Sequence, residues 1–535
     1  MTLARCLAVA LIGVDGNVVD VEADIARGLP AFTLVGLPDT ALTEARDRVR
    51  AAAANIGCPL PAQRITVNLS PAALPKTGSS FDLAMAAAVL AAAGRLPREP
   101  VATTVHLGEL GLDGRVRRVD GVLPAVLAAV RAGYPRVVVP AQNAAEARLV
   151  PGAVVQPVRT LGDLLTLHRG DLQGPSEQAE GDGTLVSDPA PDPDLVADRD
   201  RSAGPELNAA PVLGAGPDLA DVLGQVEARQ ALEVAAAGGH HLLLLGPPGA
   251  GKTMLATRLP GLLPDLDDRH ALEVTAVHSV AGLLAGPTVL VRRPPFESPH
   301  HTATVAALVG GGSGLPRPGA ASRAHRGVLF LDEAAEFHPR ALDALRQPIE
   351  QGELVIHRAL GSARFPARFQ LVLAANPCPC GLAVGKGLDC RCTPLAKRRY
   401  LGRLSGPLLD RVDLQVEVRG VSRTSMVRTG PVESTAVVAA RVARARACAA
   451  ERLAGTPWTC NGELPGALLR GSLRLSAAAR VDLDRALDRG QVTMRGYDRI
   501  LRTAWTVADL EGRNSPDRDA IGRALVLRGR GRAGR

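Results

Sequence analysis

Apolar and polar residues alternate over Val18–Ile25 (VVDVEADI), the two-residue period of a half-buried strand, directly after the apolar run Cys6–Val14. Both predict opening strands, and Ile65–Leu69, Val101–Leu107 and Val137–Val139 predict more, set among Ala-rich helical stretches. Residues 171–210 break the pattern: they are rich in Pro, Gly, Asp and Ser, have little to bury, and predict a disordered linker. From about 211 to 425 short apolar runs (His240–Leu245, Gly327–Leu331, Gln370–Ala375) alternate with helical stretches, the pattern of a parallel α/β sheet. Residues 426–525 predict helices, and the chain closes on the basic tail RGRGRAGR. The expected units are therefore 1–170, the linker 171–210, 211–425 and 426–535.

The longest near-apolar run, Leu83–Ala93, is far short of the roughly 20 residues a membrane helix needs, so no membrane partner is expected. Arg5 followed by Cys6–Val14 mimics a signal peptide, but it leads straight into strand alternation without a small-residue cleavage site. The expectation is a cytoplasmic protein.

Composition sharpens this. A chain of 535 residues exceeds one ordinary core, and 46% hydrophobic with 22% charged residues is globular. Aromatics at 2% leave Ala, Val and Leu to fill the cores and disfavour a binder that stacks bases on aromatic platforms. A net charge of +8 suits an anionic partner such as nucleic acid, although an Arg-rich composition alone gives the same figure.

The clearest chemistry is GPPGAGKT, residues Gly246, Pro247, Pro248, Gly249, Ala250, Gly251, Lys252 and Thr253. It follows the apolar run His240–Leu245 and opens a helix-forming segment. Glycines let backbone N–H groups close around phosphates, and the helix start adds positive potential. Lys252 would reach the outer phosphates of ATP and Thr253 would ligate magnesium. A second apolar run delivers Asp332 and Glu333 at its end, for the metal and for the attacking water respectively. A third ends at Asn376, suited to orient that water.

Of eight cysteines, Cys378, Cys380, Cys390 and Cys392 crowd into one Gly-rich stretch as C-x-C, nine residues, C-x-C. Four thiolates suit a tetrahedral zinc that would staple a loop without a core. Redox-active thiols, their pKa lowered by Lys386 and Arg391, are the competing reading. Cys6, Cys58, Cys448 and Cys460 read as ordinary core or surface residues.

With these residues placed, the chain resembles the ComM/YifB family of magnesium-chelatase-like AAA+ proteins. The resemblance rests on GLPAFTLVGLPDTALTEARDRVRAA (28–52), RITVNLSPAALPKTGSSFDLAMA (64–86), SPHHTATVAALVGGG (298–312), AANPCPCG (374–381) and RLSGPLLDRVDLQVEV (403–418). It implies an α/β fold: a P-loop AAA+ parallel sheet with a helical carboxy-terminal lid, preceded by an α+β Lon-protease-like domain. It implies a hexameric helicase driving branch migration of DNA in natural transformation or recombination. It also implies an insert in the second helix, within about 275–320, and a hairpin over Glu353–Phe369 whose His357, Arg358 and Arg364 near the tip would grip DNA phosphates. An exposed hairpin with incidental charge is the alternative there. Arg411 matches the arginine finger offered to a neighbouring subunit, and Arg495 the second-sensor arginine of the lid, with Arg499 and Arg502 close by.

Within the Lon-like part, Ser80 stands at the nucleophile's place, but the position matching the lysine base is Leu123, and no lysine occurs between Lys76 and Lys252. Without a base the hydroxyl stays inert, so a peptidase is not expected. The competing functions are the motor subunit of a metal chelatase and a regulatory or protein-remodelling ATPase.

Overall fold

The computed structural model describes residues 3–36, 39–76, 78–170, 216–284, 289–312, 316–358, 361–383, 389–420 and 432–528. The expected linker, Lys386 and the last seven residues of the tail lie outside the described residues.

The amino-terminal part is built on a seven-stranded mixed sheet in the order Ala31–Val35, Arg64–Ser70, Asp15–Ala26, Ala4–Ile12, Val105–His106, Arg136–Pro140, Val154–Val158. The expected opening strands pair antiparallel, Val9 opposite Val18. Helix Asp82–Ala92 packs on them and is buried on every side, as its unbroken apolar sequence requires. The run Val101–Leu107 is not one strand: its first residues end helix Arg98–Ala102, and only Val105–His106 pairs. Pro97 and Pro100 explain this, because a proline in the first helical turn gives up an N–H that has no partner there.

The second sheet has five parallel strands, ordered Phe296–Glu297, Val328–Leu331, Gln370–Ala375, Leu242–Leu245, Leu414–Glu417. Leu242, Leu244, Phe330 and Val372 are fully buried, as in a sheet covered on both faces. Gly246, Asp332 and Asn376 each follow the last residue of a strand, so they gather at one edge of the sheet. Helices Thr435–Arg452, Ala477–Asp488, Met494–Leu510 and Arg518–Leu527 follow; the first packs on Val226–Gly238 and on the third.

Over the segment expected to carry the insert, helix Asp268–Val280 ends, and strand Phe296–Glu297 and helices Val305–Val309 and Ala320–Arg323 follow among the described residues. Gly311 and Arg317 exchange backbone hydrogen bonds at 3.1 and 2.9 Å.

The two parts are in contact. Ala276 joins the apolar cluster of Val122, Leu123 and Val126, and the Gly121 N–H donates to the Ser279 carbonyl at 3.1 Å. Buried Glu146 accepts from the Leu123 N–H at 2.9 Å, from Asn143 Nδ2 at 3.0 Å, and from the Ser279 hydroxyl. Gly13 bridges to Arg364, where a Cβ would lie 2.4 Å from the Arg364 carbonyl oxygen; only glycine fits.

Candidate active site

The loop after Leu245 is tied down from three sides. The Gly246 N–H donates to the Ala375 carbonyl at 3.1 Å, and a Cβ at Gly246 would meet the Val418 carbonyl oxygen at 2.2 Å. The Pro248 ring abuts Gly381, where a Cβ would come within 2.4 Å of Pro248 Cδ. Gly249 and Gly251 take φ of 72° and 90°, and the Cβ side of Gly249 is open space. Gln225 Nε2 donates to the Ala250 carbonyl at 3.1 Å.

Lys252 is buried inside this loop. Its Nζ donates to the carbonyls of Gly246 at 2.8 Å and Pro247 at 2.9 Å and to Asn376 Oδ1 at 3.0 Å. Burial pulls its pKa below the usual lysine range, and the charges of Asp332 and Glu333 oppose that pull. The Thr253 hydroxyl donates to Asp332 Oδ2 at 2.6 Å. Glu333 takes φ +49°, a conformation that costs a non-glycine residue about 1 kcal/mol or more. It turns the carboxylate toward His301, with Oε2 3.2 Å from Nδ1. An ammonium beside an open glycine cradle, and a hydroxyl paired with a carboxylate, form the donor set that suits a nucleoside triphosphate and a hard divalent cation.

Arg411 is not turned toward its own Lys252. One Nη donates to the Pro407 carbonyl at 2.5 Å, and the other is ion-paired with Glu350. Arg495 lies exposed in the first turn of Met494–Leu510, a helix capped by the Thr493 hydroxyl, which accepts from the Gly496 N–H at 3.1 Å. Its two neighbours are committed elsewhere. Arg502 Nε donates to the Leu464 carbonyl at 2.7 Å, and Arg499 Nη1 reaches buried Asp413 at 2.6 Å. Burial works against the charge of Asp413, but the His240 ring, its Nδ1 3.5 Å from Oδ2, and the Arg499 guanidinium hold its carboxyl well below the usual carboxylate range.

The hairpin forms as Glu353–Arg358 paired antiparallel with Gly361–Pro366. His357 and Arg358 oppose Ser362 and Gly361 beside the turn, but Arg364 opposes Val355, further down the ladder. Arg364 is therefore not a tip residue: the register sets it back, and its backbone meets Gly13 of the amino-terminal part. The hairpin leans on Gly311, where a Cβ would lie 3.4 Å from Arg358 Nη2. Exposed Arg317 pairs with that same Gly311.

The sulfur atoms of Cys378, Cys380, Cys390 and Cys392 all lie within 4.8 Å of one another. Cys378 Sγ is 3.4 Å from Cys380 Sγ and 3.6 Å from Cys390 Sγ, and Cys380 is 3.6 Å from Cys390. Zinc–sulfur bonds of about 2.3 Å set tetrahedral edges of roughly 3.8 Å, so the cluster fits that ion. The Cys380 thiol is drawn down to about 6 by the Leu382 N–H and then by neighbouring thiols, whereas burial pushes Cys378 up.

In the amino-terminal part Leu123 is fully buried in an apolar cluster. Ser79 donates to Glu109, and Lys76 is buried with its Nζ on the carbonyls of Leu69, at 3.1 Å, and Pro71.

Family profiles described as magnesium chelatase, subunit ChlI, subunit ChlI of Mg-chelatase, and magnesium chelatase, subunit ChlI C-terminal match residues 218–426, 21–143 and 432–528. Competence protein ComM of Haemophilus influenzae is 40% identical over 529 residues, 99% of this chain and 98% of its own. YifB of Escherichia coli K12 is 39% identical over 532 residues, 99% of this chain and 97% of its own. The chain belongs to the ComM/YifB family of magnesium-chelatase-like AAA+ ATPases. A Mycobacterium tuberculosis protein is 55% identical over 528 residues, 99% of each chain. A Lon protease of Mycolicibacterium smegmatis is 33% identical over 168 residues, 29% of this chain and 21% of its own, in keeping with the Lon-like part of this ComM/YifB chain. Among the described residues no helix is long and apolar enough to cross a membrane.

Four residues of this ComM/YifB chain without a role in the sequence reading meet predicted residues or elements in the structure: His301 meets Glu333, Glu350 meets Arg411, Asp413 meets Arg499, and Arg317 bridges to Gly311 beside the hairpin.

Proposed function

We propose that this ComM/YifB-family chain is the subunit of an ATP-driven DNA motor, a hexameric ring that moves branched DNA during uptake or recombination. The reading rests on one observation above others. The chain that carries the Lys252–Asn376 and Thr253–Asp332 pairs also sets an exposed basic hairpin end, Arg358, against Gly311, which bridges to Arg317. That the Haemophilus influenzae relative is a competence protein supports the competence setting.

In this mechanism Lys252 and the Gly246–Gly251 backbone hold the phosphates, and Thr253 and Asp332 hold magnesium, which supplies charge stabilisation when bound. Asn376 orients the attacking water and Glu333 polarises it. Arg495 reaches the outer phosphate from the lid, and Arg411 serves the neighbouring subunit. Arg358, His357 and Arg317 grip DNA phosphates without reading sequence. Replacing Arg317 and Arg358 with Ala should weaken binding at every sequence and lower the log–log salt slope by about 0.7–0.9 per lost contact. Arg364→Ala should do less, because Arg364 stands back from the tip. Unaltered affinity and slope in the double variant would move the DNA path off this hairpin.

The four clustered cysteines hold one structural zinc in this account. Through Gly381 and Pro248 their loop touches the phosphate loop, so it is suited to carry nucleotide state toward DNA. Metal analysis should find about one zinc per chain, lost in Cys378→Ser, Cys380→Ser protein together with local stability. Zinc-free wild-type protein with an unchanged melting temperature would contradict this.

The chelatase profiles favour a second reading, the motor subunit of a metal chelatase acting on a porphyrin.

A further inference from the structure

Three parts of one subunit meet at Arg411. Its guanidinium folds back on Pro407 and on Glu350. Its carbonyl accepts from Arg499 Nη1 of the lid helix at 2.8 Å, and the same nitrogen holds buried Asp413. Glu350 itself lies in helix Arg346–Gln351, which passes through the single residue Gly352 into the hairpin strand Glu353–Arg358. Gly352 ends that helix at φ +73°, and a Cβ there would come within 2.6 Å of Arg368 Cγ, so the junction is tight and Glu350 moves with the base of the hairpin.

The folded-back pose is at odds with a finger. The Arg411 side chain is only 14% exposed, against 57% for Glu350, and a guanidinium that serves a neighbour must leave its own surface. The pose is also imperfect: buried Arg411 Nε has no hydrogen-bond partner, so one of the five donors of the guanidinium is unmet where the side chain now lies. Besides the Pro407 carbonyl, the pose is held by one half-exposed carboxylate, a contact weak enough to be broken in each cycle.

We propose that Glu350 holds Arg411 withdrawn from the subunit boundary and that load on the hairpin releases it, which makes Glu350 a positioning residue for hydrolysis in the neighbouring site. This rests on the reading of Arg411 as the finger. The lid fixes the backbone from which the finger swings, through Arg499, and the hairpin sets whether the side chain is free, through Glu350. DNA at the hairpin then raises hydrolysis next door without touching either nucleotide.

The test compares steady-state ATP hydrolysis by full-length Glu350→Gln, Arg411→Ala and the double variant, each with and without a forked duplex. Glu350 is exposed and the amide is isosteric, so Glu350→Gln should fold as wild type. Its basal kcat should rise about two- to five-fold, the ratio expected from removing one exposed charge pair, with KM for ATP unchanged. Its stimulation by forked DNA should shrink by the same factor. The double variant should be as inactive as Arg411→Ala, because the gain passes through the finger. An unchanged or lowered basal rate in Glu350→Gln, with Arg411→Ala inactive, overturns the withdrawal and leaves the finger reading standing. Wild-type hydrolysis by Arg411→Ala overturns both. A raised basal rate with undiminished DNA stimulation overturns the link to the hairpin alone.

Discussion

Replacing Arg411 with Ala should cut ATP hydrolysis by about 10³–10⁵-fold while sparing nucleotide affinity, the range seen for arginine fingers in other nucleotide hydrolases. The residue follows helix Gly406–Leu409 and precedes the edge strand Leu414–Glu417, with its backbone pinned by the lid and its side chain against Glu350 rather than against Lys252. In a ring the edge of the sheet is where a neighbour's phosphates can come within reach. Guanidinium suits that role because it is permanently charged and spreads its donors over the developing phosphate charge. Mixing Arg411→Ala with Lys252→Ala subunits sharpens the test. Each is inactive alone, but some mixed interfaces pair an intact Lys252 with a neighbour's intact Arg411, so partial activity should return. Hydrolysis by Arg411→Ala at the wild-type rate would remove the main residue-level support for a closed ring.

Lys252→Ala should abolish nucleotide binding, whereas Glu333→Gln should bind ATP normally and lose hydrolysis by about 10²–10⁴-fold, the usual worth of a positioned acid–base group. The contrast follows from their surroundings. Lys252 is buried and its Nζ joins Gly246, Pro247 and Asn376, so truncation removes the phosphate contact and also loosens the loop that makes it. Glu333 is half exposed, stands beyond the loop, and touches His301, so losing its charge leaves the cradle intact. Equal loss of ATP binding in both variants would show that Glu333 has been given the wrong role.

How far these residues could be read in advance follows from what each depends on. The phosphate loop, Asp332–Glu333 and Asn376 were legible because parallel strands buried on both faces leave short apolar runs, and the polar residue ending each run marks the same edge of the sheet. The cysteine cluster was legible because its members are close in sequence, and folding brings all four sulfur atoms together. Arg364 stands back from the expected tip because its place in the hairpin depends on strand register, and the pairing of Val355 with Arg364 leaves no trace in composition. The Val101–Leu107 run departs from the expected strand because a few apolar residues have no period, and helix Arg98–Ala102 takes the first of them. Glu350 and Arg411 are 61 residues apart, Asp413 and Arg499 are 86 apart, and neither pair leaves a local trace. The contact between Gly13 and Arg364 joins the two ends of that problem, since it needs both parts of the chain folded and in register.

The most direct test of the DNA-motor account is the ATPase rate of the full-length protein measured with forked DNA, with a porphyrin and with unfolded protein as the added partner. Forked DNA should raise the rate and the other two should leave it at the basal level; stimulation by porphyrin or by unfolded protein, with no response to forked DNA, would rule out a DNA motor.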